Sequence, residues 1–543
     1  CKSIDCMTKY SEMVIDPMRI RYCLEKALYL AKSGRPGPCW LDIPLNVQGA
    51  FVETEDLEGF DPEDYENGGT GWGTMGNIHA IPEDEAGKGE KRQLLPCKVS
   101  RETADLILSK IRAAKRPVIN AGNGIRIAGA HDVFMRVAEK LGIPVITGWD
   151  SEDCIWDEHP LYTGRAGNMG DRAGNFAIQN SDLVLSVGSR LSIRQVGYNY
   201  KTWARAAFVI ANDIDSEELK KPSVHADLAV HADAKDLLEQ LDGALDEILE
   251  KEGNQLAESL SKKGEKQLFD GGEGLPGMNW SETCRMWKET YPVVQEKHWN
   301  FTDQEPANVY AAIQAISSRL KEGQITVVGN GSACVVGGHA YVIKKGQRFI
   351  TNSAVAAMGY DLPAAIGAWT ASRDSRCYSQ GRDRSGEDLI LVTGDGSIQM
   401  NLQELQTIIH HKMGIKIFLI NNGGYHSIRQ TQKNFFGEPL IGIGVDSGDL
   451  SFPDMEKLAG AYGYPYIKAE HNSELAKAVE QTLAVEGPVI CEIFVSMDQN
   501  FEPKSSAKRL PDGTLVSPPL EDLAPFLPEE EMDRNMIIPR IRE

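Results

Sequence analysis

Leu389-Ile-Leu-Val-Thr-Gly-Asp395-Gly-Ser397 and Ile415-Lys-Ile-Phe-Leu-Ile-Asn-Asn422-Gly-Gly-Tyr425 are two apolar, β-rich runs on either side of an amphipathic stretch. The pattern predicts strand, turn, helix, strand. Asp395 falls where the first strand ends and Asn422, 27 positions later, where the second ends. That spacing suits one βαβ unit. A right-handed parallel crossover brings both strand ends to one edge of a sheet. A carboxylate and an amide oxygen then meet beside a glycine turn and a helix start. Hard oxygen ligands suit Mg²⁺, whose octahedral shell is usually completed by phosphate oxygens and water. Glycines let backbone N–H groups approach such phosphates. The motif asks for a metal-bridged diphosphate. The plainer alternative is that Asp395 caps the helix and Asn421-Asn422 forms an ordinary loop.

With Ser397, the intervening Met400-Asn-Leu-Gln-Glu-Leu405 and the double asparagine, the unit resembles the cofactor motif of thiamine diphosphate (ThDP) enzymes, and its surroundings resemble the acetolactate synthase group. The resemblance implies Mg²⁺ held by the Asp395 and Asn422 side chains and the Gly424 carbonyl. It also implies cofactor contacts from Gly394, Gly396 and Ser397. Ile325-Thr-Val-Val328 leads into Gly329-Asn330-Gly331-Ser332-Ala333, which occupies the place of a strand end lying against the diphosphate. Relatives often carry Gly-Gln-His there, so this chain departs at Ser332 and Ala333, and a plain glycine turn remains open. In Asn352-Ser-Ala-Val-Ala-Ala-Met358-Gly-Tyr-Asp361, Met358 matches the bulky residue that wedges between the two cofactor rings. Taken alone, a methionine is core filler. Tyr425 and His426 open the next helix over the diphosphate. His426 either donates to phosphate or substrate, or is a capped surface histidine.

The remaining chain fits an α/β enzyme. It has 543 residues, 41% hydrophobic and 25% charged, enough for three or four domains. Net charge is −21, which argues against nucleic-acid or anionic-membrane partners. No apolar run approaches 18 residues, so no transmembrane helix is expected. Ten cysteines without C-x-x-C pairs suggest reduced thiols in a cytoplasmic protein and give no zinc signal.

The predicted fold class is three doubly wound parallel-sheet domains. Residues 1–50, with Gly34-Arg-Pro-Gly-Pro38 and Asp42-Ile-Pro44, resemble the end of a pyrimidine-binding (PYR) domain. Because the chain opens at Cys1, roughly 100 residues are expected to be missing upstream, on an ordinary domain size of ~150. They would include the glutamate that tunes the aminopyrimidine in this family, so no catalytic residue is named within the chain. On that expectation, the chain alone decarboxylates no pyruvate. Residues 51–99, with Glu63-Asp-Tyr-Glu66 and the charged run 83–92, read as a solvated linker.

A Rossmann-like central domain follows over 100–250. Its predicted strands are Pro117–Ala121, Ile143–Thr147, Ser181–Gly188 and Ala207–Ala211, with helices over Ala130–Leu141 and Ala234–Leu249. Some acetolactate synthase-like enzymes hold FAD in this domain. Gly122, Gly124 and Arg190 are the residues that would meet its diphosphate, the alternative being that Arg190 makes a structural salt bridge; for a dinucleotide ribose, Asp150 is the nearest acid. The family's Gly-x-Arg-Phe-Asp-Asp-Arg pattern departs at Ser192 and Ile193. The spacing Gly122, Gly124, Gly129 is wrong for a dinucleotide fingerprint and disfavours an NAD oxidoreductase. Residues 251–307 read as an irregular charged connection, 308–500 as the diphosphate-binding (PP) domain, and 501–543 as an extended proline-punctuated arm.

The resemblance implies ThDP- and Mg²⁺-dependent decarboxylation of a 2-oxo acid such as pyruvate, with transfer of the acyl unit to a carbonyl acceptor. It implies a homodimer or homotetramer, with the site between the PYR domain of one subunit and the PP domain of another. A decarboxylase releasing an aldehyde and a non-catalytic ThDP- or nucleotide-binding homologue are the alternatives.

Overall fold

The β-branched runs become parallel strands buried on both faces. The computed structural model describes residues 1–70, 98–257, 267–269, 271–374, 387–509 and 514–541. Six strands form the first large sheet: β3 (Pro117–Ala121), β4 (Val145–Thr147), β5 (Tyr162–Arg165), β6 (Leu183–Val187), β7 (Phe208–Asp213) and β8 (Leu228–His231). Their order is β5-β4-β3-β6-β7-β8, and every pairing is parallel. Six more form the second: β9 (Ile325–Val328), β10 (Arg348–Thr351), β11 (Leu389–Gly394), β12 (Ile415–Asn421), β13 (Tyr466–Ala469) and β14 (Val489–Phe494). Their order is β10-β9-β11-β12-β14-β13, again all parallel. Helices cover both faces of such sheets, which is why β3 and β6 are buried along their length with no alternation.

Near the N-terminus, β1 (Tyr10–Met13) and β2 (Cys39–Asp42) pair in parallel around the helix Ile20–Lys32. Val14, Tyr22, Cys23 and Val47 form their small core. Within the stretch read as a linker, Phe60 packs edge-on against Tyr22 and at a tilt against Tyr29 and Tyr65. The charged run 83–92 lies outside the described residues. Among the described residues no helix is long and apolar enough to cross a membrane.

Doubly wound order creates a crevice wherever the chain turns from one direction across the sheet to the other. In the first sheet that point lies between β3 and β6. In the second it lies between β9 and β11.

The stretch 251–307 is more ordered than its composition suggests. The helix Ala234–Ala257 runs into it, and a helix Trp280–Thr290 follows, opened by an Asn279/Glu282 capping box. Trp280 and Trp287 are one heptad apart, both fully buried, and their indoles donate to the Pro117 carbonyl and the Asn535 side chain. Their outward neighbours are charged, which hid the periodicity. The C-terminal arm packs back on the first six-stranded unit: Leu520 and Met532 join its core, and Arg172 and Asn180 bond its backbone.

Candidate functional site

Strand β11 ends at Gly394, and Asp395 begins a short helix, Asp395–Ile398, directly above it. Its carboxylate is buried and accepts from the Gly396 amide at 2.8 Å and the Gly424 amide at 2.9 Å. Burial pushes the carboxyl up to about 6, against the pull of those amides.

One strand over, Asn422 follows β12 and is also buried. Its Nδ2 donates to the Ser332 hydroxyl at 2.9 Å. Its Oδ1 has no hydrogen-bond partner. A buried acceptor without a partner is uncommon and calls for a ligand, an ion or a water. Gly424 sits at φ +153, where a Cβ would lie 2.1 Å from the Ile443 carbonyl oxygen, so only glycine lets that backbone close the site. One carboxylate, one amide oxygen and one backbone segment thus converge. Among the described residues no group of three or more His, Cys, Asp or Glu could hold a metal. A centre with a single carboxylate suits Mg²⁺ bridged to phosphates rather than a metal caged by protein. The donor set and the unpartnered oxygen fit that ion.

Around this centre the other candidates fall into two groups. Gly331, at φ +95, and Gly394 face open space: a Cβ on the first would meet nothing within 4 Å, and on the second nothing nearer than 3.9 Å. Ser332 starts the helix Ser332–Ala340 and holds Asn422. Gly396, Ser397, Asn330 and Tyr425 make structural contacts. A Cβ on Gly396 would lie 2.5 Å from the Tyr425 ring. The Ser397 hydroxyl accepts from the Gly359 amide at 3.0 Å, and Asn401 donates to the Gly359 carbonyl at 2.7 Å. Asn330 donates to the Ala356 carbonyl. These bonds fix the loop that carries Met358, whose side chain is 38% exposed.

His426 is not a surface histidine. It is buried against Phe501, with ring centroids 5.1 Å apart. Its Nε2 lies 2.7 Å from the Gln499 carbonyl and its Nδ1 3.4 Å from Arg429. Burial lowers its pKa to about 4, so the ring is neutral.

Sequence reasoning missed three residues. Arg429, fully buried, bonds Asp446 through two nitrogens at 2.8 and 2.9 Å and donates to the Asn422 and Gly423 carbonyls, both at 3.2 Å. It therefore holds the Asn-Asn-Gly-Gly turn in shape. Asp361, buried at the start of the helix Asp361–Ala371, accepts from Thr393 beside Gly329. Arg165, on β5, donates to the carbonyls of Gly338, His339 and Tyr341 and so closes the C-terminal end of the helix that starts at Ser332. A buried arginine in a helix's second turn is a weak signal, and its partners lie too far along the chain to pair by eye.

The expected flavin residues have a different setting. A cleft of about 520 Å³ opens at the switch point of the first sheet, with Arg35, Arg190, Arg194, Asp213 and Asp233 among its walls. Asp150 and Arg190 line it, and so do Gly122 and Gly124. The Gly122 and Gly124 amides already donate to the Val187 and Gly188 carbonyls, both at 2.9 Å. A Cβ on either would lie within 2.7 Å of Gly188, so these glycines serve backbone packing. The helix after them has four residues, Gly124–Ile127. Arg190 is half exposed, 3.8 Å from Glu218, and Asp150 is committed to Ser353 at 2.5 Å.

Residues 104–241 match the family model described as thiamine pyrophosphate enzyme, central domain, and residues 329–493 the one described as thiamine pyrophosphate enzyme, C-terminal TPP binding domain. The chain is 26% identical over 513 residues to a probable acetolactate synthase large subunit of Methanococcus aeolicus, covering 94% of this chain and 75% of that protein. It is 28% identical over 500 residues to an acetolactate synthase large subunit of Cyanidium caldarium, covering 92% and 73%. It is 27% identical over 498 residues to that of Lactococcus lactis, covering 92% and 73%.

Proposed function

The chain belongs to the thiamine pyrophosphate enzymes, and from that premise we propose that it decarboxylates a 2-oxo acid of the pyruvate type and passes the acyl unit to a carbonyl acceptor; its similarity to proteins named acetolactate synthase supports this reading. The observation that carries the reading is the buried, unpartnered Asn422 Oδ1 beside the buried Asp395 carboxylate.

Asp395, Asn422 and the Gly424 carbonyl would hold Mg²⁺. Nearby positive charge favours the ionised carboxyl, so the ion would reverse the effect of burial on Asp395. Gly331 and Gly394 leave room for a diphosphate to approach the backbone. When bound, thiamine diphosphate takes up the electron pair released as the substrate carboxylate leaves as carbon dioxide. Arg429 and Asp446 keep the metal turn in shape, and the Ser397 and Asn401 bonds to Gly359 hold Met358 at the mouth. The Gly122 and Gly124 amides are spent on strand carbonyls, so a flavin in the first-sheet cleft would rely on Arg190 and other wall groups, and the proposed reaction needs none.

Val355, Ile428, Phe435, Phe436 and Ile441 are exposed on the loop that carries Met358 and on the segment that follows Tyr425. Such exposed apolar side chains support a homodimer or larger homo-oligomer closing over the site.

The test is carbon dioxide release from pyruvate by the full-length protein with ThDP and Mg²⁺, with products identified. Release with a hydroxyketone product supports the carboligase. Release with only acetaldehyde reassigns the chain to decarboxylation. No release from any of a panel of 2-oxo acids, with ThDP bound, would leave the non-catalytic reading in its place.

A further inference from the structure

The loop carrying Met358 is held from the neighbouring unit as well as from its own. The segment Gly148–Asp153, after β4 in the first sheet, is pinned to that sheet by the Ser151 hydroxyl, which donates to the Ala121 carbonyl at 2.8 Å. From there it grips the second unit at two points. The Asp153 carboxylate accepts from the Arg348 side chain at 2.7 Å and the Phe349 amide at 3.0 Å, both on β10. Asp150 then accepts from the buried Ser353 hydroxyl at 2.5 Å, just where β10 gives way to the loop. Both sides of this contact are conformationally unusual. Asp150 sits at φ +72 and Ala356 at φ +56, left-handed conformations that residues with a Cβ rarely adopt. Strained backbone of this kind persists only where the surroundings over-determine it, and it concentrates at functional sites. Here the surroundings are visible: Ala356 donates from its amide to the Asn352 carbonyl at 2.9 Å and accepts from Asn330, while Gly359 is clamped by Ser397 and Asn401.

We propose that Asp150 is a positioning residue for Met358, acting through Ser353 across the boundary between the two six-stranded units. Asp150 touches neither Met358 nor the metal turn; it sets the path of the loop between Ser353 and Gly359. The consequence for turnover rests on the reading that Met358 flanks a bound thiamine cofactor. The mechanical link does not.

Hydrogen exchange over residues 353–359 in the cofactor-free full-length protein tests the link. Asp150→Gly removes the carboxylate and suits φ +72 without strain. It and Ser353→Ala should each speed exchange about fivefold, the worth of one hydrogen bond. The double variant should be no faster than the faster single one, because both remove one interaction. Asp150→Asn keeps an acceptor oxygen and should stay close to wild type. Wild-type exchange in both single variants, or losses that multiply in the double one, would overturn the proposal. In parallel, carbon dioxide release per bound ThDP should fall about five- to tenfold in the same two variants, with ThDP affinity changed by less than about twofold. A fall in affinity with unchanged turnover per bound cofactor would also overturn it. If the wild-type protein binds no ThDP, the exchange arm still decides the link, and the failure belongs to the functional reading.

Discussion

At the switch point of the first sheet, Gly122 and Gly124 lie against Gly188, their amides spent on strand carbonyls. At that of the second, Gly331 and Gly394 face open space, beside the Asn422 amide oxygen, which has no partner. The two sheets share strand direction, helix cover and a crevice above the carboxyl ends, yet their glycines answer different needs. In one the missing side chain lets two backbone turns touch. In the other it leaves volume that no part of the described chain fills. Glycine spacing alone therefore does not say which use a glycine serves, and fold does not supply that either.

The largest effect should come from exchanging those glycines for alanine. In Gly122→Ala the new Cβ would sit 2.3 Å from the Gly188 carbonyl oxygen and 2.6 Å from the Ser189 Cα, both backbone atoms. The loss should be on the order of 3 kcal/mol or more, at the upper end of overpacking costs. In Gly394→Ala the Cβ meets nothing nearer than 3.9 Å, and φ is −110, so thermal stability should hardly move while ThDP affinity falls. Thermal unfolding of both variants checks this. Equal losses of stability would erase the distinction between the two crevices.

A smaller effect concerns pH. Burial raises the Asp395 pKa to about 6 from the ordinary 3.8. The folded, metal-free chain therefore binds that proton more tightly than the unfolded chain. The associated stability is complete below pH 3.8 and is lost as pH rises through about 6, a difference on the order of 3 kcal/mol. The turn at Gly122–Gly124 has no carboxylate and makes no such contribution. Denaturant unfolding of the metal-free protein between pH 4 and 7 should show a steeper decline with pH than Asp395→Asn, which keeps only the contribution of other buried carboxyls such as Glu152. Parallel curves would mean the carboxyl is not held in a costly site.

Much of this was readable in advance, for stated reasons. The long buried strands β3, β6, β11 and β12 announce themselves as apolar runs, and the Asp395 and Asn422 placements follow from where those runs stop. Short or polar strands such as β5 (Tyr162–Arg165) and β8 (Leu228–His231) carry too little pattern. The helix Trp280–Thr290 was hidden because two tryptophans bury its whole inner face while charges fill the rest. At the site, the motif residues were legible but their supports were not. Arg429 meets Asp446, and Asp150 meets Ser353, only because the fold brings distant segments together. At Gly122 and Gly124, spacing could not say that the amides are already used by strand carbonyls.

The central claim is that the second crevice is built for a metal-bridged diphosphate. Calorimetric titration of ThDP into the full-length protein, with and without Mg²⁺, in wild type and Asp395→Ala, tests it most directly. The account predicts binding that requires Mg²⁺ and disappears in Asp395→Ala while thermal unfolding shows the variant still folded. ThDP affinity that is indifferent to Mg²⁺, or unchanged by Asp395→Ala, would contradict it.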